Sequence, residues 1–90
     1  MSAVQRSVTI SNRRGLHARA SAKFVNMVHD LPAQVEVEKD GNRVTGTSIM
    51  GLMMLGAAMG DTIVIHCDGD GAENALQTLV ELVETKFGEE

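Results

Sequence analysis

Tryptophan and tyrosine are missing from the chain, and the only phenylalanines are Phe24 and Phe87. Proteins that grip single-stranded nucleic acid stack its bases on such rings. This scarcity, together with a net charge of −4, argues against a nucleic-acid partner. Cysteine occurs once, as Cys67, which excludes an internal disulfide. The Val-Ile run around Cys67 marks it as a small buried hydrophobe rather than a nucleophile. No apolar stretch is long enough to span a bilayer, and Met1 to Arg6 lack the apolar run of a signal peptide, so a cytoplasmic location without membrane insertion is expected. No Cys/His spacing suits a metal ion.

One sign of charge is also missing from part of the chain. Residues 1–29 hold no carboxylate, only Arg6, Arg13, Arg14, Arg19 and Lys23, whereas the remainder holds all 12 acids against Lys39, Arg43 and Lys86. That region is built to meet anions, either a phosphate or an acidic protein face. With 90 residues, 43% of them apolar, residues 1–90 are expected to form one domain with a modest core and no large catalytic cleft.

Val4, Arg6, Val8 and Ile10 alternate with polar residues, the two-residue period of a half-buried strand. Ser11 to Gly15 form a polar loop. From about Ala18 the spacing becomes helical through Ser21, Phe24, Val25 and Val28, and Pro32 forces a stop near Asp30. Ala33, Val35 and Val37 alternate in a second strand. Asp40-Gly41 supplies the positive-φ pair of a tight hairpin, and Arg43 to Thr47 returns as a third strand. Ser48 can cap a short helix over Ile49 to Leu55. Thr62 to Cys67 is a strand, Asp68 to Gly71 a turn, and Ala72, Ala75, Leu76, Leu79, Leu82, Val83 and Phe87 stripe a last helix. The order is βαββαβα, an α+β arrangement whose helices cover one face of a largely antiparallel sheet. A ferredoxin-like sheet uses nearly the same order, so strand order stays open.

His17 stands at the junction between the loop Asn12-Arg13-Arg14-Gly15-Leu16 and the first helix. A helix start offers unpaired backbone N–H groups and a positive dipole end, so an anion attached to the imidazole would find donors in place. The Arg19 guanidinium could hold phosphate oxygens in a fork. Imidazole is nucleophilic near neutral pH, and a phosphoramidate on it is a good donor. The alternative is an ordinary surface histidine near a helix cap.

The segment Gly15-Leu16-His17-Ala18-Arg19 resembles the active-site signature of the HPr family, the histidine phosphocarriers of the bacterial phosphoenolpyruvate-dependent phosphotransferase system. A second segment, Thr47-Ser48-Ile49-Met50-Gly51-Leu52-Met53, is similar to the regulatory-serine region of that family. The resemblance implies an open-faced β-sandwich with a four-stranded antiparallel sheet and three helices on one face. It implies that enzyme I phosphorylates the δ1 (pros) nitrogen of His17, that Arg19 stabilises the transferring group, and that a IIA domain receives it, in sugar transport or in a nitrogen-related branch. It also implies a monomer with no cofactor, a carrier rather than an enzyme, open to regulation at Ser48 by an HPr serine kinase/phosphorylase. Many members have proline and alanine after the arginine, where this chain has Ala20 and Ser21. A proline lost from the first turn costs preorganisation but restores an N–H.

A phosphate on Ser48 would sit at a helix N-terminus and change surface charge without unfolding the protein. Ile49, Met50, Leu52, Met53, Met54 and Leu55 cannot all face inward from one short helix. Leu52 and Leu55 are the expected inward pair, leaving Ile49, Met50 and Met53 as a flexible apolar docking patch ringed by Arg13, Arg14 and Arg19. His29 and His66 read as structural. Two other functions fit the pattern less well: a regulatory binding module of the same fold acting through Ser48, and a small-ligand domain of ferredoxin-like type that dimerises to build its site.

Overall fold

The computed structural model describes residues 3–89. In chain order its elements are β1 (Ala3–Thr9), α1 (Ala18–His29), β2 (Gln34–Lys39), β3 (Asn42–Thr45), α2 (Ile49–Met54), β4 (Thr62–Asp68) and α3 (Ala72–Glu84), followed by a tight 3-10 turn over Lys86–Gly88. The sheet runs β1-β4-β2-β3 with every neighbouring pair antiparallel. β4 therefore lies between β1 and β2, and β1 is an edge strand, unlike the interior first strand of a ferredoxin-like sheet.

Register explains why only one face is covered. Val8 lies opposite Ile63, Val4 opposite Cys67, and β4 then pairs Cys67 with Val35 and Ile65 with Val37. Antiparallel partners share a face, so these side chains form one apolar surface. It is capped by Phe24 and Val28 of α1, Leu52 of α2, and Ala75, Leu79 and Val83 of α3, all buried. Each large side chain so buried contributes about 1.5–3 kcal/mol. The opposite face carries Gln5, His66, Glu36 and Thr45 in one row across the four strands. There Glu38 bonds His66 Nε2 at 2.8 Å and Glu36 bonds Arg43 Nε at 2.6 Å, so polar partners replace packing.

Local chemistry sets the boundaries. Asp40 and Gly41 take φ of 53° and 83°, as the hairpin requires. Two elements differ from the sequence reading. β3 ends at Thr45 rather than Thr47: the Gly46 N–H still reaches its register partner, the Val35 carbonyl, at 2.8 Å, and a Cβ at Gly46 would come within 2.8 Å of the Val35 side chain, so only glycine fits where the strand gives way to the turn before α2. α3 ends at Glu84, and Phe87 does not continue its stripe: Lys86 and Phe87 both have positive φ, so the chain reverses hand and inserts the ring into the core from outside the helix. No helix among the described residues is long and apolar enough to cross a membrane.

Candidate functional site

His17 is the N-cap residue of α1, with extended backbone (φ −76°, ψ −179°), and its carbonyl accepts the Ser21 N–H at 2.9 Å. Its side chain makes no capping hydrogen bond, so the ring is left for other work and the first-turn N–H groups are not satisfied by a side-chain cap. The following turn is fixed in two ways. Ala20 and Ser21 are fully buried, and the Ser21 hydroxyl donates to the Leu16 carbonyl at 3.2 Å. That hydroxyl ties the helix to the loop.

The loop before His17 closes on itself. The Gly15 N–H donates to the Asn12 carbonyl at 3.2 Å, and the Asn12 side-chain amide donates back to the Gly15 carbonyl at 2.8 Å. Gly15 has φ +64°, and a Cβ there would lie 2.3 Å from the Ala57 carbonyl oxygen. That oxygen accepts the Leu16 N–H at 2.9 Å, so the segment after α2 is bonded to the loop that carries His17. Ile10 is tied to the same segment, its N–H to Asp61 and its carbonyl to the Gly60 N–H, each at 2.8 Å.

The far end of the chain completes the site. His17 Nε2 lies 2.6 Å from Oε2 of Glu89, and the Asn12 amide donates to Oε1 of the same carboxylate at 3.2 Å. Lys23 Nζ donates to the Phe87 carbonyl at 2.8 Å, holding down the strap that delivers Glu89. The His17 hydrogen bond is the main reason that the Glu89 carboxyl sits below its ordinary range; the Asn12 bond and the Lys23 charge add to it, and partial burial opposes it. Asn12 is itself fully buried, and its Oδ1 has no partner among the described residues.

Arg13, Arg14 and Arg19 are exposed and have no ion-pair partner among the described residues, so their charge is available to an incoming group. Ser48 caps α2, its Oγ accepting the Gly51 N–H at 2.9 Å. Leu52 and Leu55 point inward, and Ile49, Met50 and Met53 are exposed. Sequence reasoning missed two further exposed methionines, however: Met54, at 78% more exposed than Met50 at 69%, and Met59 at 59%. It also missed Asn12 and Glu89. The spacing of Asn12 and Gly15 is a turn signal that could have found the first, whereas no local pattern announces the second. His66 is held by Glu38, and Cys67 is buried with its thiol pushed up to about 11 by desolvation.

Comparison with known proteins places this geometry. Residues 4–85 match the family model PTS-HPr, described as the PTS HPr component phosphorylation site. The chain is 42% identical over 86 residues to the phosphocarrier protein HPr of Cupriavidus necator, covering 96% of this chain and 97% of that one. It is 36% identical over 89 residues to the phosphocarrier protein NPr of Shewanella violacea, covering 99% and 98%. Its fold superposes on the crystal structure of HPr from Thermoanaerobacter tengcongensis with a TM-score of 0.90 at 43% identity, covering 100% of this chain and 99% of that one. The chain belongs to the PTS-HPr family of phosphocarriers of the phosphotransferase system.

Proposed function

We propose that this protein accepts a phosphoryl group from phosphorylated enzyme I on Nδ1 of His17 and passes it to a IIA component of the phosphotransferase system, in the sugar-transport or the nitrogen-related branch. The observation that carries this reading is the placement of His17: an N-cap residue whose ring makes no cap, beside the uncapped first turn of α1 and in the same stretch as Arg13, Arg14 and Arg19, which have no ion-pair partner among the described residues. A phosphoryl group arriving there meets backbone N–H donors, the positive helix end and the Arg19 guanidinium, all of which favour the charge that develops as it moves. Transfer needs positioning and charge stabilisation rather than a cleft, and a carrier turns over no small-molecule substrate of its own.

On this reading residues 1–90 work as one monomeric carrier domain in the cytoplasm. Enzyme I and the IIA component take turns on the apolar patch of Ile49, Met50 and Met53 flanked by Arg13 and Arg14. Ser48 is the regulatory site, phosphorylated by a serine kinase/phosphorylase. A phosphate on Ser48 would replace the capping oxygen at the start of α2 and add negative charge beside the docking patch.

The test is incubation with enzyme I and phosphoenolpyruvate, followed by intact-mass measurement of wild type and His17→Ala. One acid-labile phosphate on the wild type, absent from the variant, is expected. No phosphate on the wild type would replace the carrier with a regulatory binding module of the same fold.

A further inference from the structure

We propose that Glu89 is a positioning residue for phosphoryl transfer: its carboxylate holds the ring proton of His17 on Nε2, which leaves Nδ1 as the free nucleophile and balances the cation formed when Nδ1 is phosphorylated. This inference rests on the carrier reading.

A carboxylate can only accept hydrogen bonds, so across the 2.6 Å contact the Nε2 atom must be the donor. In a neutral imidazole the other nitrogen then keeps its lone pair. The carboxylate is not a chance surface contact. Its second oxygen is held by the amide of the fully buried Asn12, which is anchored in turn to the Gly15 carbonyl. The strap bearing Glu89 is pinned by the buried Phe87 ring and by Lys23 on the Phe87 carbonyl. Lys86 and Phe87, both in the left-handed region at φ 61° and 56°, give the strap the reversal that brings Glu89 back over α1. Non-glycine residues adopt that conformation only where surrounding structure enforces it, and such enforcement gathers at functional sites.

The step balances without any added reagent. The Nδ1 lone pair of His17 attacks phosphorus, the bond from phosphorus to its carrier atom on the phosphorylated donor breaks, and that electron pair returns to the donor atom. The proton on Nε2 of His17 stays where it is, and the resulting phospho-imidazolium lies against the Glu89 carboxylate. In the onward step the same retained proton makes a neutral imidazole the leaving group.

The experiment uses the full chain with 15N-labelled histidine, as wild type, Glu89→Ala and Glu89→Gln. Ring nitrogen shifts are read by NMR, and initial phosphorylation rates are read with enzyme I and phosphoenolpyruvate. In the wild type His17 should show a protonated Nε2 and an unprotonated Nδ1. In Glu89→Ala the ring should become a tautomer mixture and the rate should fall roughly tenfold, the scale of one partly exposed hydrogen bond to a charged group. Glu89→Gln, whose amide oxygen still accepts a hydrogen bond but carries no charge, should keep the wild-type tautomer and recover part of the rate. A wild-type ring with its proton on Nδ1, or a Glu89→Ala protein with unchanged tautomer and rate, overturns the assignment while leaving the carrier intact. A wild type that takes no phosphate at all sinks the carrier reading, and this one with it.

Discussion

Nε2 of His17 lies 2.6 Å from Oε2 of Glu89, although 72 positions separate the two residues. Because His17 holds the Glu89 carboxyl below its ordinary value of 4.5, folding favours the ionised form. The stabilisation is therefore complete above the unfolded value and fades as pH falls through the lower, folded one. Thermal unfolding of wild type and Glu89→Gln should differ at about pH 6, and the gap should shrink as pH falls below the ordinary carboxyl value. A gap that widens toward acid would contradict the pairing.

Gly15 is the tightest point of the loop. Alanine there would need φ +64° and would drive its methyl to 2.3 Å from the Ala57 oxygen, a backbone atom that cannot swing aside. Gly15→Ala should cost about 2 kcal/mol or more, seen as a lower urea midpoint. An unchanged midpoint would mean that the contact with the segment after α2 yields easily.

Ser48 contributes to stability as the N-cap of α2. Removing its Oγ orphans the Gly51 N–H, so Ser48→Ala should lose about 1 kcal/mol. Ser48→Asp, which keeps an oxygen at the cap, should stay near wild type. Calorimetry on the three proteins decides this, and equal melting of Ser48→Ala and wild type would deny the cap its role.

Cys67 offers a clean reporter because it is the single cysteine. Its buried thiol, pushed up to about 11, leaves little thiolate at about pH 8, so iodoacetamide should label the native protein far more slowly than the urea-unfolded one. Fast native labelling would reveal local opening of β4.

The parts of the fold that were legible in the sequence are those decided by near neighbours. The alternation of Val35 and Val37, the stop before Pro32, the Asp40-Gly41 hairpin and the Ser48 cap all emerge as read. So does the split between inward Leu52 and outward Met50, because a six-residue helix has one side to bury. Phe87 misled because its spacing continues the helical stripe, whereas burial of the ring outweighs a backbone conformation that local propensity disfavours. The site was half legible. His17 and the arginines stand out by type and position, but Asn12 and Glu89 gain meaning only when the sheet order brings distant segments together, and no periodicity encodes that order.

The strap gives the molecule a particular history each time it is made. The loop bearing Asn12 and His17 leaves the ribosome 77 residues ahead of the carboxylate that Asn12 will hold, and Lys23 waits 64 residues for the carbonyl that it clasps. Such long-range closures come late, after the entropy of the intervening chain has been overcome. β1 likewise cannot pair until β4 exists. A chain stopped short of Glu89 therefore displays the histidine without its carboxylate, and the imidazole–carboxylate pair closes only after the sheet and the segment through Glu89 are in place.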